Sequence, residues 1–399
     1  MKRSTDRILT TFAGSLVRPP DLRDLVLERD AGKSVDEARL EARVAEAVGQ
    51  VVRQQVDAGL DVISDGEMSK PSFWTYLNER LTGFDTYAPV GGRPAMVDVL
   101  DFPELAARLY PRGAQALQPV CTSPIAYRGQ PQLERDLRNF QAALESVDYT
   151  EAFLPAATPG MVAYTQANQF YPTIEAYLDA LADALRVEYT AIVDAGFVLQ
   201  LDAPDVPIGR NVVFAGDGVD FGARGIEEYR TRLELLIAAC NRALDGIPAE
   251  RVRFHTCWGN WAGPHHRDVP LSDIIDIVLK VNAEAIYVEA FNPRHEHEWK
   301  VWQTVSLPPD KLLIVGMIDT KTNYIEHPDA IAERLQRYAR LVGRDRLIAA
   351  TDCGFGTTAA RSTVVEEVAW AKLRSLRAGA DLASELLWER AAASQPHSS

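Results

Sequence analysis

Cysteine is scarce in this chain. Four in 399 residues are too few for a disulfide framework, so each reads as a core residue, a metal ligand or a reactive thiol. Positive charge is also short: 42 Lys and Arg against 56 Asp and Glu leave a formal net charge of -14. That balance argues against nucleic acid, whose phosphates need a basic surface, and against an anionic membrane. No run of about 18 apolar residues occurs anywhere, as a membrane-spanning helix would require. The opening MKRSTDRILTTFAG lacks the continuous apolar core of a secretion signal. A soluble cytoplasmic protein with small-molecule partners is expected, with its oligomeric state left open. A glycine-rich phosphate loop after an early strand is missing too. GDGVDFG (216–222) has the wrong glycine spacing for a dinucleotide fingerprint and lies in a loop-rich stretch.

What is present is a repeated alternation. Short apolar runs at 8–14, 60–65, 151–157, 197–202, 252–257, 285–290, 312–318 and 347–352 read as strands. Between them lie amphipathic helical stretches such as EARLEARVAEAVGQVVRQQVDAG and IEAYLDALADALRVEYTAIVDAG, each closed by a glycine suited to a helix C-terminus. Strands that alternate with helices run parallel, and eight such units favour a closed barrel over an open sheet. The expected fold is a single α/β domain over 1–390, a (β/α)8 TIM barrel. The region 85–150, with VGGRP, LDFPEL and QPVCTSPIAY, breaks the alternation. It reads as an insertion after the second unit, built of a hairpin and a helix and lying over the barrel mouth. The final residues 391–399 read as a disordered tail.

Barrel active sites are built at the C-terminal ends of strands, and several reactive residues fall there. His255 and Cys257 end the fifth strand, Glu289 the sixth and Cys353 the eighth. Side chains two apart on a strand share a face, so His255 and Cys257 can both point at the barrel axis. Two thiolates, an imidazole and one further oxygen make a zinc site with a replaceable position. Thiolates already neutralise Zn2+, so such a site suits holding an incoming thiol as thiolate better than activating water. The plainer reading makes Cys257 and Cys353 buried core thiols and His255 a satisfied histidine.

These residues resemble the zinc set of the cobalamin-independent methionine synthase family, in its C-terminal catalytic barrel, and of the related epoxyalkane:coenzyme M transferases. The similarity runs from TFAGSL to TDCGFGT and is weakest over 85–150. It implies a zinc-dependent thiol S-alkyltransferase that takes a small-molecule thiol and an alkyl donor. The implied metal ligands are His255, Cys257, Glu289 and Cys353. AGSLVRP, SDGEM and LQLDAPD are similar to the family's homocysteine loops, which assigns Ser15, Glu67 and Asp202 to the substrate; Asp65 and Asp205 are alternatives within the same loops. Where the synthases carry a histidine that looks like a proton relay, this chain reads GMIDTKTNY, with Asp319 kept and Lys321 near the histidine's place. Asp319 and Lys321 are the catalytic candidates. Only one of the synthases' two barrels has a counterpart here, so the donor is left open among a folate, a corrinoid methyl group and an epoxide.

Homocysteine is the favoured thiol. A sulfonate thiol such as coenzyme M would need Arg18, Lys70 or Lys321 to hold its anion. A carbon–sulfur lyase, a zinc hydrolase with Asp319 as base, and a non-catalytic zinc-binding barrel are the rival functions. Tyr164, Gln166 and Tyr171 are candidate donor contacts, and Trp258 and Trp261 candidate pocket walls. His265, His266, His295 and His297 read as loop residues, and no second metal is expected. Cys240 reads as helix core, while Cys121 has no assignment.

Overall fold

The computed structural model describes residues 1–89, 96–109, 117–211 and 225–393. Eleven strands are found among them: β1 (Leu9–Thr10), β2 (Val62–Ile63), β3 (Thr86–Pro89), β4 (Leu117–Cys121), β5 (Glu151–Ala157), β6 (Ala167–Asn168), β7 (Val198–Asp202), β8 (Val252–Thr256), β9 (Ala285–Val288), β10 (Leu312–Ile318) and β11 (Leu347–Thr351). Eight of them form one sheet in the order β1-β11-β10-β9-β8-β7-β5-β2, a nearly closed parallel barrel with helices between the strands. Each of the eight expected strands is present. The GDGVDFG loop lies outside the described residues. Of the expected tail, 394–399 lie outside them, while 391–393 continue the helix Glu366–Ala393.

The chain divides into two compact units. The first comprises Met1–Phe73, Asp136–Pro155 and Glu284–Ser399. It holds the two ends of the barrel sheet, and they meet there: Asp61 donates its backbone N–H to the Thr10 carbonyl at 3.0 Å, and the Thr11 hydroxyl donates to the Val62 carbonyl at 3.0 Å. Register explains the core. Leu312 pairs with Ala285 and Ile314 with both Tyr287 and Ile348. Alternate residues of neighbouring strands therefore stack into one apolar cluster of Leu9, Ala13, Ala285, Tyr287, Leu312, Ile314, Ile348 and Ala350. The helix Glu37–Asp57 begins where the Asp36 carboxylate accepts the Arg39 N–H, and Gly59 past its end takes a positive φ.

The second unit comprises Trp74–Arg135 and Ala156–Ala283. In it β7 and β8 run parallel, with Asp202 and His255 as register partners. It also contains a small sheet in the order β3-β4-β6, where β3 and β4 form an antiparallel hairpin and β6 joins β4 in parallel. The short helices Val97–Leu100 and Pro103–Leu109 lie in sequence between the two hairpin strands, and the helix Gln130–Leu144 follows β4. No helix among the described residues is long and apolar enough to cross a membrane.

Candidate functional site

Two groups of side chains have donor atoms placed to hold a metal ion. In the second unit the ligand atoms of His255 and Cys257, both buried, lie within 4.8 Å of each other, and so do those of Asp98, His265 and Asp268; Cys353 is buried in the first unit. Glu289 lies in the first unit and in neither group.

His255 sits at the end of β8 with Nδ1 2.9 Å from Asp202 Oδ1. A carboxylate at that distance fixes the proton on Nδ1 and leaves Nε2 as the ring's lone-pair donor, the arrangement common behind metal-bound imidazoles. Asp202 is steadied in turn. Gln200 Nε2 donates to the same oxygen at 2.8 Å, and Arg253 Nε donates to Gln200 Oε1 at 2.7 Å. This buried relay Arg253–Gln200–Asp202–His255 was not visible in the sequence, which offered Asp202 only as a substrate contact. Cys257 follows two residues on, and its sulfur accepts the Gly259 N–H at 3.4 Å.

In the first unit the turn after β11 is organised around Cys353. Its carbonyl accepts the Thr351 hydroxyl at 2.6 Å, and Thr351 in turn receives the Tyr287 hydroxyl at its carbonyl. Asp352, fully buried, turns the other way. It accepts the backbone N–H groups of Ala290, Phe291 and Asn292 at 3.0, 3.0 and 2.8 Å, and Asn292 Nδ2 at 2.8 Å. Gly316 makes room for it, since a Cβ there would stand 2.0 Å from Asp352 Oδ1. Asp352 thereby shapes the loop that carries Glu289, whose Oε2 accepts from Asn292 Nδ2 at 2.8 Å and Arg294 Nη2 at 3.2 Å. Asp352, Asn292 and Arg294 are site residues that the sequence did not single out.

Ser15 and Glu67 are placed by the same packing. A Cβ at Gly354 would lie 2.0 Å from Ser15 Oγ, and the Phe355 N–H donates to the Ser15 carbonyl at 2.9 Å. Glu67 is buried and holds φ at 58°, as Gly66 before it holds 67°. A glutamate in that left-handed region is uncommon and strained. It is kept there by its N–H to Asp65 Oδ1 at 3.0 Å and by Arg18 Nη2, which donates to its carbonyl at 2.7 Å. Arg18 Nη1 donates to the Gly356 carbonyl at 2.7 Å, so this buried guanidinium ties three loops together. Lys70 Nζ donates to the Pro155 carbonyl at 2.7 Å.

Lys321 lies 2.9 Å from Asp319 Oδ1. Burial pushes its ammonium down, but Glu289, Asp319 and Asp352 outweigh that and leave it above the ordinary lysine value. Burial pushes Asp319 up, and Lys321 with its hydrogen bonds more than reverses this, so it lies below the usual carboxylate value. Asp205, the alternative to Asp202, is buried, accepts the Thr158 hydroxyl at 2.7 Å, and is pushed by burial to about 7.

The remaining candidates are placed as follows. Gln166 Nε2 donates to Asn78 Oδ1 at 2.8 Å, and the Tyr171 hydroxyl accepts the Ile125 N–H at 2.9 Å. Tyr164 and Trp258 are buried, and Trp258 Nε1 donates to the Val269 carbonyl at 2.8 Å. His295 is buried beside Glu298 at 3.1 Å, and His297 is exposed. Cys240 lies in the buried face of the helix Ile226–Ala243, as expected. Cys121 is buried in β4, and burial raises its thiol to about 11.

No protein-family model matches the sequence. The chain is similar to a methionine synthase of Sulfolobus acidocaldarius, 28% identical over 348 residues that cover 86% of this chain and 85% of that one. It is 25% identical to a methionine synthase of Sulfurisphaera tokodaii over 382 residues, 95% of this chain and 93% of the relative. Among solved structures, a B12-independent methionine synthase from Shewanella in complex with selenomethionine superposes with a TM-score of 0.69 at 19% identity, covering 97% of this chain and 99% of that one. That likeness bears out the barrel fold.

Proposed function

We propose that this chain is a zinc-dependent S-methyltransferase of the cobalamin-independent methionine synthase family that makes homocysteine the attacking thiol, a reading supported by its likeness to methionine synthases over 86–95% of its length. What carries the reading is the pair His255 and Cys257 at the end of β8, both buried and with donor atoms within 4.8 Å of each other, joined in the sequence by a second buried thiol, Cys353, at the end of another barrel strand. Two thiols and an imidazole match the preference of zinc, and the carboxylate of Asp202 behind His255 matches the partner that orients zinc-bound histidines. A bound zinc ion supplies the positive charge that keeps an acceptor thiol deprotonated near neutral pH.

The chain's own residues do the rest. Asp202 acts as a positioning residue for His255. Glu289 is the reserve oxygen donor, and Asn292 and Arg294 hold its carboxylate on one oxygen. Ser15 and Glu67 take the amino-acid end of homocysteine; the strain stored at Glu67 fixes its carboxylate for an ammonium. Lys321, held charged beside Asp319, stabilises the departing donor by its charge and keeps its own proton.

A sulfonate thiol is the weaker fit. Arg18, Lys70 and Lys321 are the three cations it would call on, and each already serves a carbonyl or a carboxylate within the protein.

Zinc-edge X-ray absorption on the purified protein tests the reading, alone and with homocysteine or coenzyme M. The expected result is one additional sulfur neighbour with homocysteine only, together with methionine formation when a methyl donor is supplied. A sulfur shell unchanged by either thiol would refute it. A gain with coenzyme M alone would move the acceptor to the sulfonate class.

A further inference from the structure

We propose that Asp98, His265 and Asp268 form a second divalent-cation site, chemically unlike the thiol-bearing group. All three belong to one compact unit. Asp98 comes from the short helix Val97–Leu100, and the other two from the loop that follows β8 and Cys257. Their donor atoms lie within 4.8 Å of one another.

The second observation is Asp98 itself. It is completely buried. Its Oδ2 accepts the His265 N–H at 2.7 Å, while its Oδ1 has no hydrogen-bond partner among the described residues. A buried carboxylate oxygen left in that state is unfavourable unless a cation or proton meets it. The imidazole beside it is turned to leave a donor. His265 Nε2 lies 3.1 Å from the Trp261 carbonyl, and Nδ1 lies 2.9 and 3.2 Å from the two oxygens of Asp268. With its proton on Nε2 donating to that carbonyl, the ring presents Nδ1 as a lone pair, held as metal-bound histidines are held by a backbone acceptor. His266 and Arg267 reach Asp101, at 2.8 Å from His266 Nε2 and 2.5 and 2.6 Å from Arg267 Nε and Nη2, and Asn211 Nδ2 donates to Asp268 Oδ1 at 3.4 Å.

Two carboxylates balance a dication and one neutral imidazole completes the set. One nitrogen and two oxygens without sulfur suit a manganese-like ion, whereas thiol donors such as Cys257 select zinc. The ion would pin the Gly259–Asp268 loop immediately after Cys257, and so steady the end of β8. The sequence hides this because Asp98 stands 167 positions from His265.

The test is a titration of the full-length protein with Mn2+, with free ion followed by its electron paramagnetic resonance signal. One Mn2+ should bind. Its dissociation constant should rise roughly tenfold or more in Asp98→Asn and in Asp268→Asn and stay unchanged in Cys257→Ser. Absence of Mn2+ binding would overturn the proposal, as would binding indifferent to both aspartate variants. Loss of binding in Cys257→Ser alone would place the ion at the thiol group and overturn it equally. Should Asp98→Asn not fold, Asp268→Asn decides the matter. None of these outcomes depends on zinc or on methyl transfer.

Discussion

Asp205 should make this protein less stable as pH rises toward neutrality, the reverse of ordinary acid denaturation. The carboxyl is fully buried, with Thr158 donating to Oδ1 at 2.7 Å. Oδ2 has no partner among the described residues and faces Gly160, where a Cβ would stand 2.1 Å away. Burial therefore raises its pKa from 3.8 to about 7. Unfolded, the group titrates near its ordinary value. Between the two values the native state binds the extra proton, so stability is fully present below about pH 4 and falls as pH rises to about 7. A shift of about 3 units corresponds to about 4 kcal/mol, lost at up to about 1.4 kcal/mol per pH unit. Asp205→Asn keeps the shape, keeps an oxygen for Thr158 and cannot ionise. Denaturant unfolding of both proteins between about pH 5 and pH 8 should show the asparagine variant gaining on the parent by roughly that slope, then levelling. Parallel curves would refute the reasoning, because they would mean that Asp205 ionises as freely in the folded protein as outside it. A carboxyl raised by burial to about 7 is also a poor ammonium receptor, which makes Asp205 the weaker candidate of the two acids in LQLDAPD.

Three further outcomes follow from the site. Gly354→Ala brings a Cβ to 2.0 Å from Ser15 Oγ and should cost about 1–3 kcal/mol in thermal or denaturant unfolding; adding Ser15→Gly should restore part of that, and no recovery would separate the two residues. Asp202→Asn should weaken zinc retention about 10–100-fold in competition with a chelator, with the circular dichroism spectrum unchanged; parental affinity would remove Asp202 as the support of His255. Lys321→Met should lower turnover by roughly tenfold or more while Lys321→Arg retains part of it; equal losses would point to a proton donor instead of a fixed charge.

The strands were legible because apolar runs bounded by helical periods are a local signal, and all eight lie where the sequence puts them. Their lengths were not. The first run reads as 8–14 yet only Leu9–Thr10 are strand, because the chain leaves the ladder to build the site: the Ala13 N–H goes to the Thr351 hydroxyl at 3.2 Å. The second reads as 60–65 and shrinks to Val62–Ile63, since the Asp61 carboxylate takes the Thr10 N–H and Gln55 Oε1 takes the Ser64 N–H. Side chains there do the work of backbone partners, and no period records that. The small sheet shows the same limit, for β6 is two residues that find β4 across a gap in sequence.

The site divides along the same line. Residue type and spacing on one strand gave His255 and Cys257, and the turn chemistry around a glycine gave Cys353. What could not be read was which carboxylate serves which group. The resemblance of LQLDAPD to a family motif assigns Asp202 to the substrate. Its contact within the protein is set by the register between β7 and β8, which puts Asp202 directly beside His255 although 53 positions separate them. A shift of one residue in that pairing would leave both strands and every ligand type in place, and it would turn Asp202 to the opposite face, away from the imidazole. The orientation of His255 is thus a property of strand pairing, and a single sequence carries residue identity far more openly than it carries pairing.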